Sequence, residues 1–250
     1  MRDTYLITKN ELMVTMRNPF WIFHGLLQPI IYLVLFGPLL NGVAGTRGFP
    51  STNAIQFFAP GLLIMNALFS AGFEGFTLQD KVDSGFLERL RVTPISRLSL
   101  ALGFILQSSV TLLIQSAVLI VCSLFFGLKL EVWGTVALVF LILLIGVTMA
   151  SISFSLALLT REGGILAGIT NTFILPLLIL SGVMLPISFG PPAIQMLARI
   201  DPLLYAVNAS RALMAGAVGD PSVLAAFVVF AVLSVVCLGA FIRGMREAVA

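Results

Sequence analysis

The chain has 250 residues, 59% of them hydrophobic and only 10% charged, with a formal net charge of +3. Soluble domains carry about 25% charged residues, and too few polar side chains remain here to clothe so much apolar surface, which excludes a soluble globular fold. Runs such as TLLIQSAVLIVCSLFF and TVALVFLILLIGVTMA are apolar on every face rather than alternating, which excludes a transmembrane β-barrel.

No Asp, Glu, Lys or Arg occurs in 18–46, 48–73, 98–128, 132–160, 163–198 or 221–242. Each interval reaches the ~20 residues that a helix needs to cross ~30 Å of hydrocarbon, and backbone groups in lipid must bond within their own segment. The sequence therefore predicts an all-α polytopic membrane protein, one membrane domain over 1–250. Its six transmembrane helices are expected near 21–40, 57–77, 100–127, 132–158, 164–187 and 222–242.

The first element in the chain is an amphipathic helix within 1–19. At 100° per residue Tyr5, Leu6, Leu12, Met13 and Met16 share one face, Asn10, Glu11 and Thr15 lie elsewhere, and the long stem of Lys9 can snorkel out of the apolar arc. Such a helix is expected to lie in the membrane interface and to stop before Pro19. The GVA at 42–44 has the small residues of a processing site. About 20 polar or mixed residues precede the first apolar run, however, so the first span is expected to be retained.

Glu74 sits near one end of the second span and is expected to pair with Lys81 or with interfacial water. The charged stretch VDSGFLERLRVTPISR follows. Asp83 or Ser84 can cap a helix, and Thr93 before Pro94 must end it, which predicts a short helix over 83–94. Phe86, Leu87 and Leu90 share an arc of that helix, while Glu88, Arg89 and Arg91 point away. So short a helix is unstable alone in water. It needs the ends of its own spans for the apolar face and a polar partner for the charged one.

Within the spans, Cys122 and Cys237 read as small packing residues. The amides Gln28, Asn66, Gln107, Gln115 and Asn171, and the spacings Gly164-x-x-x-Gly168 and Ser151-x-x-x-Ser155, read as helix-joining features. Beyond the fifth span, Pro191, Pro192 and Pro202 break 188–216 into short lengths. Asp201 followed by Pro202 starts a helix that Gly216 stops. A helix over 202–215 is too short to span, and is expected to be re-entrant or interfacial, with Arg199 and Arg211 reaching water.

Sorting the cations by loop gives Arg2, Lys9, Arg17, Lys81, Arg89, Arg91, Arg97, Arg161, Arg243 and Arg246 on one side, and Arg47, Lys129, Arg199 and Arg211 on the other. Ten against four places both termini and the charged stretch in the cytoplasm. The basic balance thus reports topology and not nucleic acid. His24 is the only histidine, so neither a metal site nor a hydrolytic triad is expected. None of Lys9, Lys81 or Lys129 sits in a G-x-x-x-x-G-K-[ST] loop, so any work the chain does must be powered from outside it.

The segment GFLERLRVTPISR after the second span resembles the coupling segment of type-two ATP-binding-cassette (ABC) transporter permeases, particularly the small daunorubicin-resistance-type exporter subunits. APGLL at 59–63, LSGVMLP at 180–186 and DPLLYAVNASRAL at 201–213 fall in that family's order. The resemblance implies a permease in the cell inner (plasma) membrane that exports or flips a hydrophobic or amphipathic, drug- or lipid-like compound. It implies two separate ATPase subunits that bind the ATP and Mg, with no cofactor in this chain, and a second permease, either another copy or a sister chain.

Carried over, Phe86, Leu87, Glu88, Arg89, Leu90, Arg91 and Pro94 would form the coupling helix. The re-entrant region 188–216, with Asp201, Pro202, Tyr205 and Arg211, would cap the outer end. Spans one, two and five would line the pathway, with Phe57, Phe58, Asn66, Phe69, Asn171 and Phe173 as wall candidates. The readings set against this are an ATP-independent channel or secondary transporter, a polysaccharide or glycolipid ABC permease, and a membrane anchor that only recruits an ATPase.

Overall fold

A computed structural model describes residues 2–17, 20–41, 54–85, 96–160 and 162–248. Every element among them is helical: α1 Arg2–Arg17, α2 Phe20–Asn41, α3 Ala54–Gly72, α4 Glu74–Asp83, α5 Arg97–Phe125, α6 Val132–Thr160, α7 Gly163–Leu180, a 3-10 turn Ile187–Phe189, α8 Pro192–Ala198, α9 Pro202–Met214 and α10 Pro221–Ala248. Among the described residues five stretches are long and apolar enough to cross a bilayer: Ile55–Asp83, taken through the α3–α4 junction, then α5, α6, α7 and α10. The expected first span is the 22-residue α2.

In lipid, apolar contact does not by itself drive helices together, so close packing and small residues must do so. The central strut is α6, which packs against α10, α3, α4, α5 and α9. Glycines set the approach. A Cβ at Gly134 of α6 would run into the Leu213 carbonyl of α9, and one at Gly146 into Leu112 of α5. Phe104, Phe154 and Phe241 link α5, α6 and α10, with ring centroids 5.8 and 5.1 Å apart. The α3–α4 segment is the most enclosed, whereas α7 and α10 leave most of their surface open.

The contacts define two ends. Ile7 of α1 meets Gly103 near the start of α5, Lys81 near the end of α4 pairs with Glu11 of α1, and Arg97 Nη1 donates to the Arg246 carbonyl of α10 at 3.2 Å. At the other end the start of α3, the α5–α6 turn and the close of α9 meet through Gln56. Its Nε2 donates to Lys129 O at 3.0 Å and to Met214 O at 3.2 Å, while its Oε1 accepts from Lys129 N–H at 3.0 Å.

Several expectations are corrected. The second span is not one helix over 57–77 but two, interrupted at Phe73. The fifth ends at Leu180 rather than near 187, because Ser181 closes it and Gly182 takes φ +72°. Asp83 does not start a helix; it ends α4, and Ser84 follows as its C-cap. Residues 86–94 of the expected coupling helix lie outside the described residues. Among the described residues a Cβ at Gly164 would meet nothing closer than Glu162 Oε1 at 3.8 Å and one at Gly168 nothing within 4 Å, so that spacing joins no described helix.

Of the mid-span amides, Gln107 reaches another helix, donating to Thr15 Oγ1 of α1 at 3.4 Å. Asn171 bonds its own helix at Ala167 O, and both amide atoms of buried Asn66 lack a partner among the described residues. In α1 the apolar Tyr5, Leu6, Met13 and Met16 are exposed, as an interfacial helix requires. Its protein-facing stripe is Thr4, Ile7, Thr8, Glu11 and Thr15.

Candidate functional site

The charged segment is mounted between α4 and α5. Asp80 O accepts from Ser84 N–H at 3.0 Å and Val82 O from Gly85 N–H at 3.0 Å, with Gly85 at φ +68°, a left-handed turn that glycine adopts without a Cβ penalty. Gln79 Nε2 also donates to Asp83 Oδ1 at 2.9 Å. On the far side Ser96 caps α5, its side chain accepting from Ser99 N–H at 3.1 Å. Thus both ends of the segment are fixed at the α1 end of the bundle. Phe86, Leu87, Glu88, Arg89, Leu90, Arg91 and Pro94 themselves lie outside the described residues.

The helix that delivers the segment is anchored at both extremities. At its start, Ser153 of α6 stands in the α3–α4 break: Gly75 N–H donates to its Oγ at 2.8 Å, and the hydroxyl donates to Gly72 O at 2.6 Å. Buried Glu74 opens α4 and accepts from Thr77 Oγ1 at 3.3 Å. A carboxylate suits the first turn, where unpaired N–H groups give a positive helix end. At the other extremity Lys81 bonds to Glu11, and its Nζ lies 4.7 Å from the Phe104 ring centroid. The sequence expected Glu74 to pair with Lys81 or with interfacial water; Glu11 also bonds Lys81, because α1 turns its polar stripe, not its apolar one, toward the bundle.

At the opposite end, Asp201 caps α9 through Leu203 N–H at 2.9 Å, with Pro202 at the first helical position and Gly216 at φ +81° just beyond the helix. Its second carboxylate oxygen is enclosed without a partner among the described residues, and burial pushes the Asp201 carboxyl up to about 6. Tyr205 OH donates to Arg199 O at 2.9 Å. Rather than reaching freely into water, Arg211 is half-buried. It donates through Nε to Phe57 O at 3.2 Å and through Nη2 to Gly182 O at 2.8 Å and Val183 O at 3.2 Å, and it stacks on the Phe57 ring at 3.6 Å. Burial lowers its guanidinium to about 9, still a cation at neutral pH, and it answers the carbonyls at the end of α7.

The expected wall residues are not brought together. Phe57, Phe58 and Asn66 are buried in the centre of the bundle and Phe69 is half-buried, all on α3, whereas Asn171 and Phe173 are exposed on α7. Two grooves among the described residues involve none of them. One of about 260 Å³ runs between α5 and α6 along Leu113, Ser116, Ala117, Ile120, Val139 and Ile142. The other, of about 440 Å³, lies at Val218–Phe227. Residues that sequence reasoning missed are Ser153 and Gln56, whose partners are remote in the chain; the sequence carries no local signal for either.

Residues 2–215 match the family described as ABC-2 type transporter. A protein described as transport permease ycf38 of Cyanophora paradoxa is 29% identical over 215 residues, covering 84% of this chain and 73% of that one. Its namesake in Pyropia yezoensis is 32% identical over 211 residues, covering 82% of this chain and 71% of that one. The daunorubicin resistance ABC transporter permease protein DrrB1 of Streptomyces coeruleorubidus is 22% identical over 203 residues, covering 80% and 71%.

Proposed function

The chain belongs to the ABC-2 type transporter family, a family of membrane transport components, and from that premise we propose that it is the permease of an ATP-driven exporter. In this reading it moves or flips a hydrophobic or amphipathic compound outward across the cell inner membrane. The motor is a separate ABC ATPase, two copies of which bind ATP and Mg and grip the segment 84–96. A second permease, a copy or a sister chain, completes the pathway. The charge count supports a cytoplasmic α1 end, and the likeness to DrrB1 supports an apolar or amphipathic cargo.

The observation that carries this reading is the mounting of the charged segment. One flank is fixed by Gly85 and the other by Ser96, and the helix behind it is tied to both α6 and α1. A soluble motor needs such a handle: charges held in register for recognition, backed by an element that carries displacement into the spans.

Reconstitution in vesicles with the ATPase and a fluorescent amphiphile tests it. Glu88→Ala is expected to leave the permease folded and to cut ATP-driven transport about tenfold, as loss of a charge contact at a docking joint would. An unchanged rate refutes the assignment. The competing reading, transport without a motor, draws on Glu74, a carboxyl enclosed in a span. Cargo movement by the purified chain alone would decide for it.

A further inference from the structure

The junction between α3 and α4 is built differently from an ordinary helix kink. Phe73, between the two helices, has φ −97° and ψ −1°. Around it the regular ladder gives way: Phe73 N–H still reaches Phe69 O at 3.1 Å, but Phe76 N–H turns to Phe73 O at 3.1 Å. The carbonyl of Gly72 and the N–H of Gly75, which flank the break, are both satisfied by one hydroxyl from another helix, Ser153 of α6. A hydroxyl can donate and accept at once, so a single side chain takes the place of the missing ladder.

The fit around that hydroxyl is tight. A Cβ at Gly75 would stand 2.5 Å from Ser153 O and 2.6 Å from its Oγ, so only glycine lets α4 sit against α6 there. The rings of Phe69, Phe73 and Phe76 run past the junction with centroids 6.1 and 5.8 Å apart, a stack that can slide without breaking a polar bond. Beyond the junction α4 extends about 15 Å to Gly85, so a ten-degree turn at its root moves that end of the helix by about 3 Å.

We propose that Ser153 is the pivot on which α4 swings relative to α3, a positioning residue that converts displacement of the segment 84–96 into movement of the enclosed second span. The inference rests on the permease reading above and adds the joint through which coupling passes. A pivot must hold the resting angle yet release it. A buried pair of hydrogen bonds to one neutral hydroxyl does so, since each is worth little net while leaving its partners unmade is costly.

Two measurements test it on the reconstituted full-length chain. The first is cargo moved per ATP hydrolysed with the partner ATPase. Ser153→Ala is expected to keep ATP hydrolysis but to lower this ratio about fivefold, the size expected for one lost buried hydrogen bond, and Ser153→Thr, which restores the hydroxyl, is expected to recover it. An unchanged ratio, or a loss of both rates in proportion, overturns the proposal, because it would leave Ser153 with a merely structural role. The second measurement does not depend on transport. Spin labels at Asp83 and Arg243, both exposed, with Cys122 and Cys237 replaced, report the angle of α4 by pulsed electron resonance in nanodiscs. The distribution is expected to broaden in Ser153→Ala and not in Ser153→Thr. If wild type fails to transport with its ATPase, the permease reading falls, and this distance alone judges the pivot: an unaltered distribution in Ser153→Ala overturns it.

Discussion

The two ends of the bundle are fastened by different chemistry. At the α9 end the clamps run from side chains to backbone. Gln56 holds both Lys129 and Met214, Glu131 accepts from Gly134 N–H at 2.7 Å, and Arg211 grips three carbonyls. Backbone partners on packed helices cannot turn away, so this end is locked. At the α1 end the fastenings between α1 and the bundle are long or interchangeable: Thr8 Oγ1 to Gly103 O at 3.4 Å, Gln107 to Thr15 at 3.4 Å, and the Lys81–Glu11 pair. In the permease reading proposed above, the contrast separates a lid that holds its shape from a joint that transmits force, and each fastening can be cut to test it.

The largest effect is expected at the lid. Gly134→Leu would drive a side chain into the Leu213 carbonyl and separate α6 from α9. Overpacking against backbone, which cannot change rotamer, is expected to cost about 3 kcal/mol or more. Thermal unfolding of the purified protein in detergent would register it. A variant as stable as wild type would mean that the α9 end gives way easily, and the contrast with the joint would vanish.

At the joint the expected effect is smaller and of another kind. Side chains of Lys81 and Glu11 keep 21% and 9% of their exposure, between a surface pair and a buried one. Lys81→Met alone takes the cation away from buried Glu11 and is expected to cost about 1–3 kcal/mol, while Glu11→Gln with Lys81→Met costs less than the sum of the two single changes. Hydrogen exchange should then rise across α1 and leave α6 protected. Additive costs would place the pair among exposed ion pairs, worth about 0.5 kcal/mol.

What the sequence made legible follows the same division. The membrane class and the positions of the spans rested on charge-free lengths, a property of each segment alone, and the helix from Pro202 rested on a local Asp-Pro signal. The break in the second span left only a hint, Gly72 and Gly75 within SAGFEGF. The partner that decides its geometry, Ser153, is 78 residues further on from Gly75. The Lys81–Glu11 pair was not foreseen because α1 has two candidate faces, and lipid takes the apolar one. Phe57 and Phe58 were read as a pathway wall because a helix apolar all round does not say whether lipid, cargo or protein covers it. The enclosure of α3 answers that only once the neighbours are in place.

The smallest prediction compares two copies of one device. Asp201–Pro202 opens α9 and Asp220–Pro221 opens α10, each carboxylate accepting an N–H two residues on, at 2.9 and 2.8 Å. Burial separates them. The Asp201 carboxyl is raised from 3.8 to about 6 by desolvation, whereas hydrogen bonds to Ser222 lower that of fully exposed Asp220. A carboxyl with a raised folded pKa binds more protons in the native chain than in the unfolded one between the two values, so stability falls as pH rises from about 4 to about 6 and is flat above. Asp220 has the opposite sign, and its contribution disappears only as pH falls below about 4. From pH 5 to pH 7 the unfolding midpoint of wild type is therefore expected to drop through Asp201. Asp201→Asn, which keeps an oxygen for Leu203 N–H, is expected to make the drop smaller, and Asp220→Asn to leave it untouched. A slope as steep in Asp201→Asn as in wild type would mean that water reaches the enclosed oxygen and that the lid is looser than its clamps imply.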